Sequence, residues 1–271
     1  MPASRSTSRN TRPPGPPARR RALWPLLGVG LIAALAVLVT AIPASVLGRF
    51  LPPGVHAADF SGTIWHGSTT ALTVNGRNAG GLEWQLQPQA LLQLTLELRA
   101  HWALGHFLAD GVVDADGRRF SLRDVRGGGP IDDLSELGVP AGWHGVAEVA
   151  IDTLSGDPAR LIAVAGDLKV SNLSSAQVAA GANLGGYLLR FAPGAVDASG
   201  AISGQLSDTG GPLEVSGTIT LSPAQHSGMV SGTILERADA PPDLRRDLDN
   251  FARLRGRDRQ GRIPVDLEFT F

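Results

Sequence analysis

Leucines at positions 92, 94, 96 and 98 alternate with Gln93, Thr95 and Glu97. A period of two sets all four leucines on one side of an extended chain and predicts a strand with one apolar face. The same period runs through Leu213, Val215, Ile219 and Leu221 against Glu214, Ser216, Thr218 and Thr220. It returns in Val265, Leu267, Phe269 and Phe271 against Asp266, Glu268 and Thr270. Weaker alternation predicts strands over 59–66, 69–74, 80–86, 105–113, 118–125, 145–154, 161–170, 186–192, 200–207 and 228–236. Turn formers separate them: Asn75-Gly76, Asp114-Ala115-Asp116-Gly117, Asp208-Thr209-Gly210-Gly211 and Gln260-Gly261. Consecutive antiparallel hairpins are the simplest topology. Past residue 50, helix is expected at two places, a short one over 131–137 and a longer one over 242–255. In the second, Leu244, Leu248, Phe251 and Leu254 recur at intervals of three and four, and Pro242 suits the first turn. A sheet with one apolar face must cover it, by packing on a second sheet, by curling into a trough, or by holding something apolar such as lipid.

The start of the chain follows a different pattern. No residue from Ala22 to Gly48 is charged, and Leu, Val, Ala and Ile dominate. About 20 such residues cross a bilayer as a helix, because lipid offers backbone N–H and C=O groups no other partner. Residues 22–48 therefore read as a transmembrane anchor, with Trp24 at the headgroup level and Leu26, Leu27, Leu31, Ile32, Leu35, Val37, Leu38 and Val39 facing lipid. Arg19, Arg20 and Arg21 lie just before it and hold the N-terminus in the cytoplasm, so that the rest of the chain is periplasmic in a bacterium. A cleavable signal peptide is the rival reading, with Ala44 as a cleavage residue. Its apolar core is typically about 7–15 residues, and this one is longer, which favours an uncleaved anchor. Residues 1–21, rich in Pro and Ser, form a basic disordered arm. Gly28-Val29-Gly30-Leu31-Ile32-Ala33 spells a dinucleotide fingerprint, but no strand precedes it. Three regions result: the arm 1–21, the anchor 22–48, and a periplasmic β domain 49–271.

Charge separates arm from body. Residues 1–21 hold six arginines and no acid; taking those six from the 24 basic residues leaves 18 against 25 acidic, a net −7 for the remainder. An acidic body without aromatics interleaved among arginines argues against nucleic acid. Cysteine is absent, so disulfides and thiolate metal sites are excluded. The 34 glycines and 19 prolines suit many short strands and turns.

Candidate chemistry is thin. Trp65 and His66 sit between Gly62 and Gly67, where an alternating strand points one inward and one outward. Trp65 with Phe60 or Ile64 then anchors a first hairpin and His66 faces water. His101 and His106 fall on different expected strands and lack a third metal ligand nearby. Asp132, Asp133 and Glu136 open the short helix, where acidic residues favour the N-terminus. Gly127-Gly128-Gly129 reads as a turn rather than a phosphate loop, since the chain's single lysine is Lys169. Asn172-Leu173-Ser174, a glycosylation sequon by its letters, reads as a strand end. Gly-x-Ser-x-Gly and His-Glu-x-x-His are missing. No catalytic residue, cofactor or metal is expected. The arginines from 245 to 262 alternate with aspartates, a solvated face that is also the best charged docking surface, with Arg245, Arg246, Arg253 and Arg255 foremost.

An ordered set of short motifs carries a resemblance. It comprises Leu51-Pro52-Pro53-Gly54-Val55, Ser61-Gly62-Thr63-Ile64-Trp65-His66-Gly67, and Leu82-Glu83-Trp84-Gln85-Leu86 with Pro88 and Leu91-Leu92. Near the end come Gly210-Gly211-Pro212-Leu213, Asp239-Ala240-Pro241-Pro242-Asp243-Leu244 and Gln260-Gly261-Arg262. Together with one N-terminal membrane segment, these resemble the type II secretion system protein N family over about residues 23–271. Residues 127–200 match only in texture, and Leu254 to Arg259 departs from the family's Gly-Pro flavour. The resemblance implies a mainly β fold and a non-enzymatic inner-membrane accessory subunit. It would bind other type II secretion subunits from the periplasm while seated in the lipid bilayer; self-association is left open. The one-sided strands keep a second reading alive, a periplasmic lipid-handling protein using the apolar face of a curved sheet.

Overall fold

A computed structural model of the chain describes residues 40–49, 51, 54–90, 95–157 and 160–270. The expected arm, and the anchor with Arg19, Arg20, Arg21 and Trp24 through Val39, lie outside the described residues; the expected end of the anchor does not continue as a membrane helix, because Pro43 bridges Thr63 and Ala44–Arg49 is a 3-10 turn of the strand-bearing unit. Among the described residues no helix is long and apolar enough to cross a membrane. The chain divides into two compact units at Ile42, and the second, Pro43–Phe271, carries all the strands.

Those strands form one antiparallel sheet that follows the sequence almost without detour. They are β1 (Val55–Gly62), β2 (His66–Val74), β3 (Arg77–Asn78), β4 (Gly81–Leu86), β5 (Leu96–Leu104), β6 (Phe107–Ala115), β7 (Phe120–Pro130) and β8 (Trp143–Asp157). There follow β9 (Arg160–Ser175), β10 (Val178–Asn183), β11 (Gly186–Phe191), β12 (Ile202–Gly210), β13 (Leu213–Ser222), β14 (Ser227–Glu236) and β15 (Ile263–Thr270). Strand order is β1-β2-β4-β5-β6-β7-β8-β9-β11-β12-β13-β14-β15, with short β3 paired only to β2 and β10 only to β9. The fold is mainly β, as expected, and the sheet is open, with β1 and β15 at its ends.

The register shows how alternation specifies the fold. A row of paired residues crosses thirteen strands: Phe60, Thr69, Leu82, Trp102, Ala109, Gly127, Val149, Leu168, Leu189, Leu206, Gly217, Gly232 and Val265. Thr69 is its one polar member, and its hydroxyl donates to the Ala58 carbonyl. The neighbouring row, on the opposite face, runs Ser61, Ser68, Glu83, His101, Asp110, Arg126, Ala150, Asp167, Arg190, Gln205, Thr218, Ser231 and Asp266. A slip of one residue would exchange the two faces, so the pattern pins the register. A bulge bends β7 against β6 where Asp124 takes a left-handed backbone angle, φ 52°, whereas Asp59, at φ 55°, keeps the β1–β2 register.

Cover over the apolar face is uneven. The helix α1 (Pro242–Arg255), matching its expected span, lays Leu244 and Leu248 on Leu213 and Ile263, with Val215, Ile234 and Phe251 packed around them. Ile263 is fully buried there. A second cluster joins Val164, Phe191 and Ile202 to Ala195 and Val196 of the loop before β12. Near β1 the cover is a short 3-10 turn, Ala44–Arg49, tied to the hairpin by a bridge between Pro43 and Thr63.

Three expectations change in detail. Residues 63–65 form the turn between β1 and β2 instead of continuing a strand, because Gly62, at φ 80°, ends β1 and Thr63 N–H closes on the His66 carbonyl at 2.8 Å. The strand expected over 92–98 is β5, which starts at Leu96 and runs on to Leu104; 91–94 lie outside the described residues. Leu254 does not join the apolar stripe of α1. At 3.6 residues per turn it falls about 80° from Leu244, and it is 84% exposed.

Candidate partner-docking surface

The helix that carries the nominated arginines is held in place from both ends. Pro242 occupies its first turn, where a missing N–H costs nothing, and Asp243 complements the positive end of the helix dipole. Gly256 N–H caps the far end on the Ala252 carbonyl at 2.7 Å. From its middle, Asp247 Oδ2 accepts the Ala179 N–H at 3.1 Å. That bond steadies β10 where Ala179 and Ala180 both have positive φ.

The four arginines do not share one role. Arg245 donates to the Ala238 carbonyl, and Arg255 reaches the Asp266 carbonyl of β15 at 3.5 Å, so both are turned toward the sheet domain. Arg246 pairs with Asp243 one turn back at 2.8 Å. Arg253 makes no ion pair or hydrogen bond among the described residues and lies in the last turn. Helix geometry puts Arg246 and Arg253 within about 20° of each other, on the side away from Leu244. Leu254, the next residue and the most exposed large apolar side chain described, projects about 100° round the helix from Arg253.

Two further arginines secure this region. Arg257 forks to Asp249 at 2.8 Å and Glu236 at 3.2 Å, and donates to the Gly261 carbonyl at 3.0 Å. These contacts raise its pKa, with the Asp249 hydrogen bond first among them. Arg237 donates to Asp208 at 2.7 Å and to the carbonyls of Gly211 and Leu213 at 2.8 and 3.2 Å. Burial opposes ionisation of Asp208. The Arg237 hydrogen bond and backbone N–H groups of Val215 and Gly210 outweigh it and hold the carboxyl below its usual range. Nearby, burial pushes the Tyr187 phenol up to about 12, and its hydroxyl donates to the Leu184 carbonyl at 2.7 Å. The signal for Arg237 was its position just before Asp239-Ala240-Pro241-Pro242; alternation by itself reads it as another exposed residue.

Elsewhere, chemistry-bearing side chains pair off across strands and turns. His101 Nδ1 lies 2.6 Å from Asp110, and His106 and His144 meet Asp133 and Asp132 instead of each other. Asp132 and Asp133 do not cap their own turn, Ile131–Leu137, which lacks a side-chain cap bond. Asp133 instead receives the His106 N–H at 2.6 Å, closing the β5–β6 hairpin. Gly105 permits it: φ is +60°, and a Cβ there would lie 2.6 Å from the Asp133 carboxyl carbon. Gly127, Gly128 and Gly129 lie within β7, and Asn172 lies inside β9 at φ 54°. Among the described residues no three His, Asp or Glu side chains group as metal ligands would.

The Ser-Gly-Thr-Ile-Trp-His-Gly motif has a structural role centred on a different tryptophan. Trp84 of β4 is buried, its Nε1 donates to the Ile64 carbonyl at 3.1 Å, and its ring meets Phe60 edge-on at 6.3 Å. Gly67 makes room: a Cβ there would fall 2.5 Å from the Trp84 ring. Trp65 lies in the turn, its carbonyl accepting the Leu86 N–H at 2.8 Å, and His66 is exposed, as expected.

Fold and surface together define a mainly β protein, an antiparallel meander whose one α-helix among the described residues presents an outward strip. The model of the type II secretion system protein N family matches residues 53–266, and the chain belongs to that family. It therefore takes part in type II protein secretion, in association with other components of that system. No curated protein and no solved structure matches the chain.

Proposed function

We propose that the chain is a non-enzymatic accessory subunit of the type II secretion system at the inner membrane. The uncharged run from Ala22 to Ile42 anchors it as a single pass with the N-terminus in the cytoplasm, and the β unit from Pro43 onward works in the periplasm. Family membership supports assembly at that membrane. The uncharged run from Ala22 to Gly48 behind three arginines supports the topology. On this reading the domain supports export of folded proteins by docking other secretion subunits.

The observation that carries the docking surface is the strip around Arg253 and Leu254. Arginine is enriched at interface hot spots, Arg253 has no ion pair among the described residues, and Leu254 next to it is 84% exposed. Arg246 extends the strip, while Arg245 and Arg255 fix the helix beneath it.

The test is recovery of secretion subunits with tagged full-length protein after crosslinking in cells. Arg253→Glu with Leu254→Asp should reduce recovery by about tenfold, the loss expected when a hot spot is removed. Undiminished recovery from a double variant that remains in the membrane would refute the assignment to this strip.

A further inference from the structure

We infer that a cavity at the β1 end of the sheet holds one acyl chain of a membrane phospholipid. The cavity measures about 340 Å³ and lies between Leu47 and Leu51 on one side and the apolar face of β1, β2, β4 and β5 on the other. Phe60, Leu72, Trp84 and Leu98 are among its walls.

The lining is almost wholly apolar. Thr69 contributes the one side-chain hydroxyl among the lining residues and gives its proton to the Ala58 carbonyl. The Trp84 indole N–H is spent on Ile64. Ordered water takes two to four polar partners, and the lining side chains leave it almost none. An empty cavity would forfeit the dispersion contacts of every wall. At roughly 30 Å³ per water-sized group, the space takes an alkyl segment of about ten carbons.

Position in the chain selects the source. Leu47 comes five residues after Ile42, where the first compact unit ends. Five residues reach at most about 18 Å, less than the roughly 30 Å hydrocarbon core of a bilayer. If the uncharged run from Ala22 to Ile42 is the anchor, the nearest apolar molecules are the acyl chains beside its end. Charge agrees: Arg49, exposed at the end of the 3-10 turn between Leu47 and Leu51, makes no ion pair among the described residues. A lipid phosphate supplies that partner. This inference shares the membrane anchor with the proposed function and is independent of the docking strip.

The experiment uses the full-length protein in vesicles of phosphatidylethanolamine and phosphatidylglycerol, with a trace of phosphatidylethanolamine bearing a photoreactive group in its acyl chain. After illumination, peptide mass spectrometry locates the label. Label should appear on peptides containing Phe60, Leu72 and Leu98, in addition to residues 22–42. Ala57→Phe, which projects a ring into the cavity, should cut cavity label by about tenfold, as occlusion of a single pocket requires. Leu72→Phe serves as a second filling variant should the first misfold, and unchanged label on residues 22–42 reports correct insertion. Label confined to residues 22–42 would overturn the inference. Equal cavity label in both filling variants would do the same. Recovery of secretion subunits, read in the same variants, should be unchanged, so failure of the lipid site and failure of the docking strip are told apart.

Discussion

The two ends of the sheet carry the same apolar row and solve its burial differently. At the β13–β15 end the chain supplies its own cover: α1 sets Leu244 and Leu248 against Leu213 and Ile263, and Arg237 and Arg257 fasten the loops on either side. At the β1–β5 end a short 3-10 turn and Leu51 face the sheet across a cavity. Alternation fixes which face is apolar; it does not say what covers that face. Where a helix follows in sequence the cover is internal and the outer side of that helix is free to dock. Where it does not, an occupant from outside is called for.

The contrast should be plainest in truncations of leucine. Leu244→Ala removes a side chain that is 2% exposed in a filled core and should destabilise the protein by about 3 kcal/mol. Leu82→Ala, half-buried beside an existing cavity, should cost only about 1 kcal/mol. Denaturant unfolding of the full-length protein in detergent measures both, and equal losses would erase the distinction. Gly67→Ala should cost about 2 kcal/mol by overpacking against Trp84 and the nearby Thr63 carbonyl. A simultaneous drop in cavity labelling would show that Trp84 shapes the cavity.

Smaller effects test the fastenings of the helical end. Asp208→Asn should cost about 1–2 kcal/mol, because Arg237 loses its charged partner. The pH dependence has a defined sign. The folded Asp208 carboxyl sits below its ordinary value, so its stabilisation is complete above that ordinary value, near pH 4, and fades as pH falls through the lowered one. Acid titration of stability should therefore be flatter below about pH 4 in Asp208→Asn than in the parent. The smallest effect is spectroscopic. Tyr187 is the chain's single tyrosine, and its phenol, raised to about 12, should stay protonated at pH 10 while the fold persists. Its share of stability is intact below about pH 10 and is lost as pH rises toward 12. Phenolate absorbance at pH 10 in the folded protein would contradict the burial of Tyr187.

Much of this was legible in the sequence, and the misses have physical causes. The span 242–255 coincided with α1 because Pro242 and the Leu244, Leu248, Phe251 stripe mark a start and a face. Strands such as 213–221 and 228–236 were marked by alternation almost to their ends. β10 escaped notice because Val178–Asn183, rich in alanine with one glycine, lacks a period of two, and its pairing is set by β9 and Asp247. The turn at 63–65 was hidden because Ile64 and Trp65 read as strand formers, while Gly62 and a partner 20 residues away, Trp84, decide the conformation. Asp132 and Asp133 read as local caps, but their partners come from other hairpins. Likewise, sequence marked the arginine-rich docking region; which arginine stays unpaired depends on carbonyls and carboxylates brought in by the fold.

The most direct test of the contrast between the ends is photocrosslinking in living cells from two positions of the full-length protein. A photoreactive residue at Leu254 should join the chain to another secretion subunit and give little lipid adduct. The same residue at Leu72 should give a lipid-sized mass increase and no protein adduct. Protein adducts from both positions, or lipid adducts from both, would contradict the division of the sheet into a docking end and a lipid-filled end.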